Sequence, residues 1–189
     1  MKNTVGSLTE VQRSVVTGKL LGDGTLRRKV NTLLEVNHSY KQKNYVFWLY
    51  GIFKKYVATP PKLRVSGLGR FSYRFTTLSL SDLNSFYEEF YPYNRIKVVP
   101  KALILDPISL AVWFMDDGSK TRTSIYLNTQ QFSNEDQLVL IGKLKEFGVF
   151  ASLNKDKHYH RIRLTKNTVS VFVELIRPYL LPSMTYKLP

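Results

Sequence analysis

The sequence predicts an α+β fold assembled from two similar halves, and three observations predict it. Two apolar stretches with helical spacing each end in Asp-Gly, at Asp23-Gly24 and Asp117-Gly118. Further on, Ser81–Tyr93 and Asn167–Tyr179 share Phe, Glu, Pro and Tyr at one common offset, as Phe86/Phe172, Glu88/Glu174, Pro92/Pro178 and Tyr93/Tyr179. A third pair closes each half: Lys97-Val98-Val99-Pro100 and Lys187-Leu188-Pro189. Three correspondences in the same order indicate a duplicated domain. The expected organisation is an N-terminal half over 1–93, a linker over 94–106 and a C-terminal half over 107–189.

Each half is expected to run helix, strands, helix, strands, helix. The first helix spans Thr9 to Gly22, with Thr9 placed to cap it. Strands follow at Thr25–Val30 and Leu33–Ser39. The next helix carries Tyr45, Trp48, Leu49, Ile52 and Phe53 at three-to-four spacing, with Pro60-Pro61 beyond its end. Lys62–Ser66 and Phe71–Leu78 read as strands. In the second of these, Phe71, Tyr73 and Phe75 alternate with Ser72, Arg74 and Thr76. A third helix starts near Ser81, and a stretch rich in Tyr, Pro and Lys (Tyr91–Pro100) leads to the second half. There the expected elements are a helix at Ser109–Asp116, a strand at Ser124–Gln131 and a helix at Asn134–Phe147. Strands at Val149–Lys155 and His158–Thr165 then precede a last helix at Val169–Leu175.

Composition narrows the function. The 189 residues are 43% hydrophobic and 13% aromatic, enough apolar material for a folded core. Lys and Arg total 28 against 14 Asp and Glu, a formal net charge of +14. That imbalance favours a polyanionic partner, nucleic acid first. The basic residues are dispersed among Tyr, Phe and Ser, so they form a folded basic surface, not a tail. The chain has no cysteine, which excludes disulfides, Cys-based zinc sites and a thiol nucleophile. No apolar run approaches the roughly 20 residues that span a bilayer, so no membrane partner is expected. The opening MKNTVGSLTE is neither a signal peptide nor an Arg-rich presequence. The expectation is an intracellular protein, used in an organelle (mitochondrion or chloroplast) or in a bacterial or phage-infected cytoplasm.

The paired aspartates carry the chemistry. A carboxylate at a helix C-terminus meets the negative end of the dipole and is mildly unfavourable there. One Asp-Gly alone would only end a helix and open a turn. Two of them on duplicated helices imply a compensating cation. Magnesium takes one or two carboxylates with waters and phosphates, and phosphodiester chemistry needs acidic ligands beside the scissile phosphates. Gly18 and Gly22 share one helix face, where small residues let two helix backbones approach closely. That approach would bring both aspartates together, although Trp113, Phe114 and Met115 make the partner helix bulkier than Ala111 alone would.

These segments resemble the paired motifs of single-chain LAGLIDADG homing endonucleases. Trp113–Gly118, Leu127-Asn128-Thr129-Gln130 and Tyr186-Lys187-Leu188-Pro189 are similar to the I-SceI-like subgroup of that family. The resemblance covers nearly the whole chain. It implies a duplicated αββαββα fold, a pseudo-two-fold monomer with two saddle-shaped antiparallel sheets that bind DNA. It also implies cleavage of both strands of a long, non-palindromic duplex with Mg2+, leaving short 3′ overhangs; Mn2+ or Ca2+ can replace Mg2+ for binding. The resemblance makes Asp23 and Asp117 the metal ligands, with the backbone carbonyls of Gly22 and Asp116 beside them. Lys97 and Lys187 would stand next to the scissile phosphates, where an ammonium stabilises developing charge or assists water activation. Gln130 and His38 take the polar, water-orienting positions. Lys19 departs from the pattern, an amine on a helix that should be buried, and its stem is expected to snorkel to solvent.

Outward strand positions should meet the major groove, which admits a two-stranded ribbon. In the first half these are Arg27, Lys29, Asn37, Arg64, Ser66, Arg70, Arg74 and Thr76. In the second they are Arg122, Ser124, Tyr126, Asn128, Lys155, Lys157, Arg161 and Arg163. Arg and Asn are the usual readers of guanine and adenine, and the others would hold phosphates. Two alternatives stand beside the endonuclease: an intron RNA maturase, with intron RNA as partner, and a catalytically inactive DNA-binding regulator on the same scaffold.

Overall fold

Local capping sets where each motif helix begins. Thr9 accepts from the Gln12 amide while the Gln12 side chain returns to the Thr9 amide, which starts α1 (Glu10–Leu21). Asp106 and Ser109 make the same reciprocal pair before α4 (Pro107–Asp117), with proline at its first position. The second motif helix therefore begins two residues earlier than its apolar spacing suggests. The computed structural model describes residues 7–67, 69–93 and 96–189. Residues 94 and 95, where the expected linker starts, and residues 1–6 lie outside them.

The first half continues with β1 (Thr25–Arg28), β2 (Thr32–Ser39), α2 (Lys43–Phe53), β3 (Lys62–Val65), β4 (Phe71–Thr76) and α3 (Asn84–Phe90). The second has β5 (Gly118–Lys120), β6 (Ile125–Leu127), α5 (Asn134–Lys145), β7 (Ala151–Asp156), β8 (Tyr159–Leu164) and α6 (Val169–Ile176). The sheets have orders β1-β2-β4-β3 and β5-β6-β8-β7, antiparallel throughout. The same order twice confirms the duplication and the α+β class. The short β5 has no counterpart in the elements read from sequence. The strand expected at Ser124–Gln131 is shorter, because the chain turns after Leu127 and the Phe132 amide closes onto the Thr129 carbonyl.

β2 shows why the sheets sit on the helices as they do. Thr32, Leu34, Val36 and His38 point inward and are buried, while Glu35, Asn37 and Ser39 face outward. Leu34 and Val36 of that set share one apolar cluster with Val46, Leu49 and Phe53 of α2. Each such side chain contributes about 1.5–3 kcal/mol on burial. At the centre, Val15, Val16, Leu20 and Leu21 of α1 lie against the second motif helix, where Leu110–Met115 are wholly buried. A Cβ on Gly18 would lie 2.5 Å from the Ser109 carbonyl oxygen, and one on Gly22 would lie 2.4 Å from Asp116 Cβ. Only glycine permits this approach of the two helices. No helix among the described residues is long and apolar enough to cross a membrane.

Candidate active centre at the paired helix ends

The crossing of α1 and α4 delivers Asp23 and Asp117 to one place. Their charges act on each other, and both act on Lys97 and Lys187. Each lysine closes one helix end. Lys97 donates to the Gly22 and Gly24 carbonyls at 2.9 and 3.0 Å. Lys187 donates to the Met115 and Asp116 carbonyls at 2.7 and 2.8 Å. This placement satisfies orphan helix carbonyls and sets a cation at the negative end of each dipole. Burial lowers both ammonium groups, Lys97 to about 8, against the opposing pull of the aspartates.

Burial also pushes the Asp117 carboxyl up from 3.8 to about 8, reinforced by Asp23 and Asp116 and opposed by the two lysines. Between those values the folded protein holds a proton that the unfolded chain has released, so stability falls as pH rises through this window. In chelator, the melting temperature should drop from about pH 6.5, above the range where buried neutral His38 acts in the opposite sense, to pH 8, and Asp117→Asn should flatten that slope. Identical slopes for the two proteins would reject the assignment.

His38 is buried and faces inward, with Nε2 2.7 Å from Lys19 Nζ and Nδ1 3.5 Å from an Asp23 carboxylate oxygen. Burial, with the Lys19 charge, lowers it to about 3, so it is neutral at ordinary pH. Lys19 then donates to Nε2, which puts the ring proton on Nδ1 and aims it at Asp23. A cavity of about 270 Å³ opens beside Asp23, lined by Thr25, Glu35, Asn37, His38, Ser39 and Gln42.

Two expectations need correction. Lys19 does not reach solvent; it is fully buried and its ammonium lies 2.7 and 2.8 Å from the two Asp116 oxygens. An ion partner from the other half removes the need to snorkel. Gln130 does not lie on the strand or meet an aspartate of the centre: in the turn after β6, its amide donates to Asp156 at 2.8 Å. The residue that enters is Gln131, whose amide lies 3.5 Å from an Asp117 carboxylate oxygen and 3.4 Å from the Gly22 carbonyl. The tandem glutamines were visible in the sequence. Which one enters depends on the turn.

The sheet faces also differ from expectation in part. Ser124 is buried, its hydroxyl donating to the Leu164 carbonyl, so it cannot contact a duplex. Asn128 is tied to the Asp117 carbonyl at 2.8 Å and accepts from Arg161 at 3.2 Å. Arg161 and Arg163 both lie over the Tyr126 ring. Glu35, absent from the expected set, binds Arg27 at 2.9 Å and Arg74 at 2.6 Å and fixes both guanidiniums. Thr76 is half-buried at the inner end of β4. Lys29, Asn37, Arg64, Ser66, Arg70, Arg122, Lys155 and Lys157 are exposed as expected. Exposed Leu63, Val65 and Phe71 stand among the cations of the β3–β4 hairpin.

The donors at the helix ends are hard oxygens: two carboxylates and the carbonyls of Gly22 and Asp116. That set fits a magnesium-like ion, and a cation there would offset the burial and the neighbouring carboxylates that raise Asp117. Asp23, His38 and Asp116 also bring ligand atoms within 4.8 Å of one another. We give that trio a structural role, because the Asp116 oxygens are already engaged by Lys19, by the Tyr45 hydroxyl at 2.8 Å and by the Asp23 amide at 2.9 Å.

Residues 13–172 match the model of the LAGLIDADG DNA endonuclease family. The chain is 30% identical over 209 residues to the cytochrome b mRNA maturase bI2 of Saccharomyces cerevisiae, a match covering 100% of this chain and 49% of that protein. It therefore spans about half the length of that relative. It is also 30% identical over 201 residues to the probable intron-encoded endonuclease 1 of Wickerhamomyces canadensis, covering 96% of this chain and 85% of the other. Among solved structures, the homing endonuclease I-WcaI bound to its DNA recognition sequence matches with a TM-score of 0.91 at 29% identity, covering 100% of this chain and 90% of that one.

Proposed function

The chain belongs to the LAGLIDADG DNA endonuclease family, and from that premise we propose that it is a homing endonuclease that cuts both strands of one long, non-palindromic DNA site with Mg2+, leaving short 3′ overhangs. One observation carries the reading: two acidic helix ends, one from each half, meet with a lysine behind each. A bound divalent cation would supply Lewis-acid polarisation and a reactive water. Asp23 would hold one such cation and Asp117 another, with the Gly22 and Asp116 carbonyls as further ligands. Lys97 and Lys187 would stabilise charge building on the phosphate oxygens. The Gln131 amide and the His38 Nδ1–H would orient polar atoms near Asp117 and Asp23. Both reaction centres lie in one chain, so a monomer suffices, and its unlike halves need no palindrome.

DNA would lie across the outward sheet faces. Arg64, Arg70 and the other exposed cations hold phosphates or bases, and Leu63, Val65 and Phe71 suit thymine methyl groups. The deciding experiment is cleavage of a randomised duplex library with and without Mg2+. Discrete cuts on both strands that require the metal support the reading and identify the target. Tight binding without cuts overturns it. The similarity to a yeast maturase favours intron RNA binding as the second reading, and a shift of host intron RNA by the same preparation would then establish it.

A further inference from the structure

Asp116 and Lys19 are buried, oppositely charged and contributed by different halves. The ammonium of Lys19 bridges both carboxylate oxygens of Asp116. One oxygen also accepts from the Tyr45 hydroxyl, and the other accepts from the backbone amide of Asp23 at 2.9 Å. Gly22 makes room for this, since a Cβ there would collide with Asp116 Cβ at 2.4 Å. A carboxylate of the second half thus holds the main chain of the first half's acidic residue.

Among the described residues, the second half has no matching device. Its helix α4 runs through Asp117, so the helix itself holds that residue. The first motif helix stops at Leu21, and Asp23 lies beyond it. The position equivalent to Asp116 is Gly22, and the one equivalent to Lys19 is Trp113, whose buried indole N–H has no partner among the described residues. A buried ion pair is seldom more stabilising than apolar side chains of like volume, so stability alone does not account for this one.

We propose that Asp116 is a positioning residue which, held by Lys19, aims Asp23 from across the interface and so makes the first reaction centre depend on the second half. The proposal rests on the endonuclease reading. It predicts unequal effects on the two strands, which a merely structural pair would not give.

The test compares two full-length variants that both remove the buried charges, so neither leaves an unpaired ion in the core. Lys19→Met/Asp116→Ala removes the acceptor for the Asp23 amide; Lys19→Met/Asp116→Asn keeps one. In the chelated proteins, hydrogen exchange at the Asp23 amide should be faster in the Ala variant and near wild type in the Asn variant. With Mg2+, the Ala variant should cut one strand about 100-fold more slowly, the usual effect of an ångström-scale misplacement. The other strand should stay close to the wild-type rate, so nicked DNA accumulates, and the Asn variant should cut the affected strand well above the Ala variant, since both lack the Lys19–His38 bond equally. Equal slowing of both strands, or unchanged exchange at Asp23, overturns the proposal. If the wild-type protein cuts no DNA, the endonuclease reading fails separately, and amide exchange in the chelated proteins still decides whether Asp116 holds Asp23.

Discussion

Asp117→Asn should abolish strand cleavage while leaving DNA binding intact. The substitution keeps the shape of the side chain and removes a carboxylate from the place where a divalent cation and a phosphate would meet. Losing several kcal/mol of charge stabilisation corresponds to about a 1000-fold or greater loss of rate. Binding without metal should hold at neutral pH, because Asp117 already carries a proton there and the substitution leaves its charge unchanged. The metal-free fold should gain stability, because burial and the neighbouring Asp23 and Asp116 disfavour the ionised Asp117. Single-turnover cleavage, anisotropy titration without metal and thermal melting check the three parts. Cleavage above about one tenth of the wild-type rate would remove Asp117 from the metal centre.

Gly18→Val should be the most damaging substitution for the fold. Its Cβ would sit 2.5 Å from the Ser109 carbonyl oxygen and 2.7 Å from Val112 Cβ. Neither neighbour can rotate away, since one is backbone and the other is the first side-chain atom of α4. The helices must separate, and the wholly buried layer between them loses its packing. Overpacking of this kind costs about 3 kcal/mol or more, a fall of about 6–12 °C in melting temperature for a chain of this size. Gly51→Ala is the control. It lies in α2 with nothing within 4 Å of its Cβ position, and better helix propensity should add up to about 1 kcal/mol. Melting curves that match for the two variants would show that the close crossing is not required. Because the crossing also sets the separation of Asp23 and Asp117, Gly18→Val should lose cleavage even below its melting temperature.

The sequence pattern and the structure diverge at local caps and turns, as at the start of α4 and after β6, and most of all where distant residues meet. Thr9 and its Gln12 partner, the alternation of β2 and the Asp-Gly helix ends are local, so spacing and capping chemistry suffice to read them. Lys97 and Lys187 were legible because duplication placed them at equivalent points. Lys19 was not, because its partner Asp116 is brought to it only by the crossing of α1 and α4. Gln131 displaced Gln130 because the chain leaves β6 after Leu127, and a one-residue change of phase in a turn exchanges which side chain enters. Ser124 looked outward in the strand pattern but satisfies the Leu164 carbonyl from within the sheet. Glu35 is an acid within a basic surface, and its two arginine partners come from the neighbouring strands β1 and β4.

By itself, then, the sequence determined the duplication, the order of elements, the glycine-lined crossing face and the two acidic helix ends, because each follows from spacing along one segment. Tertiary structure alone decided which groups surround those acids. Gly18 and Gly22 let the helices touch, and once they touch, burial and charge select the partners: Asp116 for Lys19, Gln131 for Asp117 and a lysine for each open helix end. Those pairings depend on distances between residues far apart in the chain, and one-dimensional spacing carries no information about them.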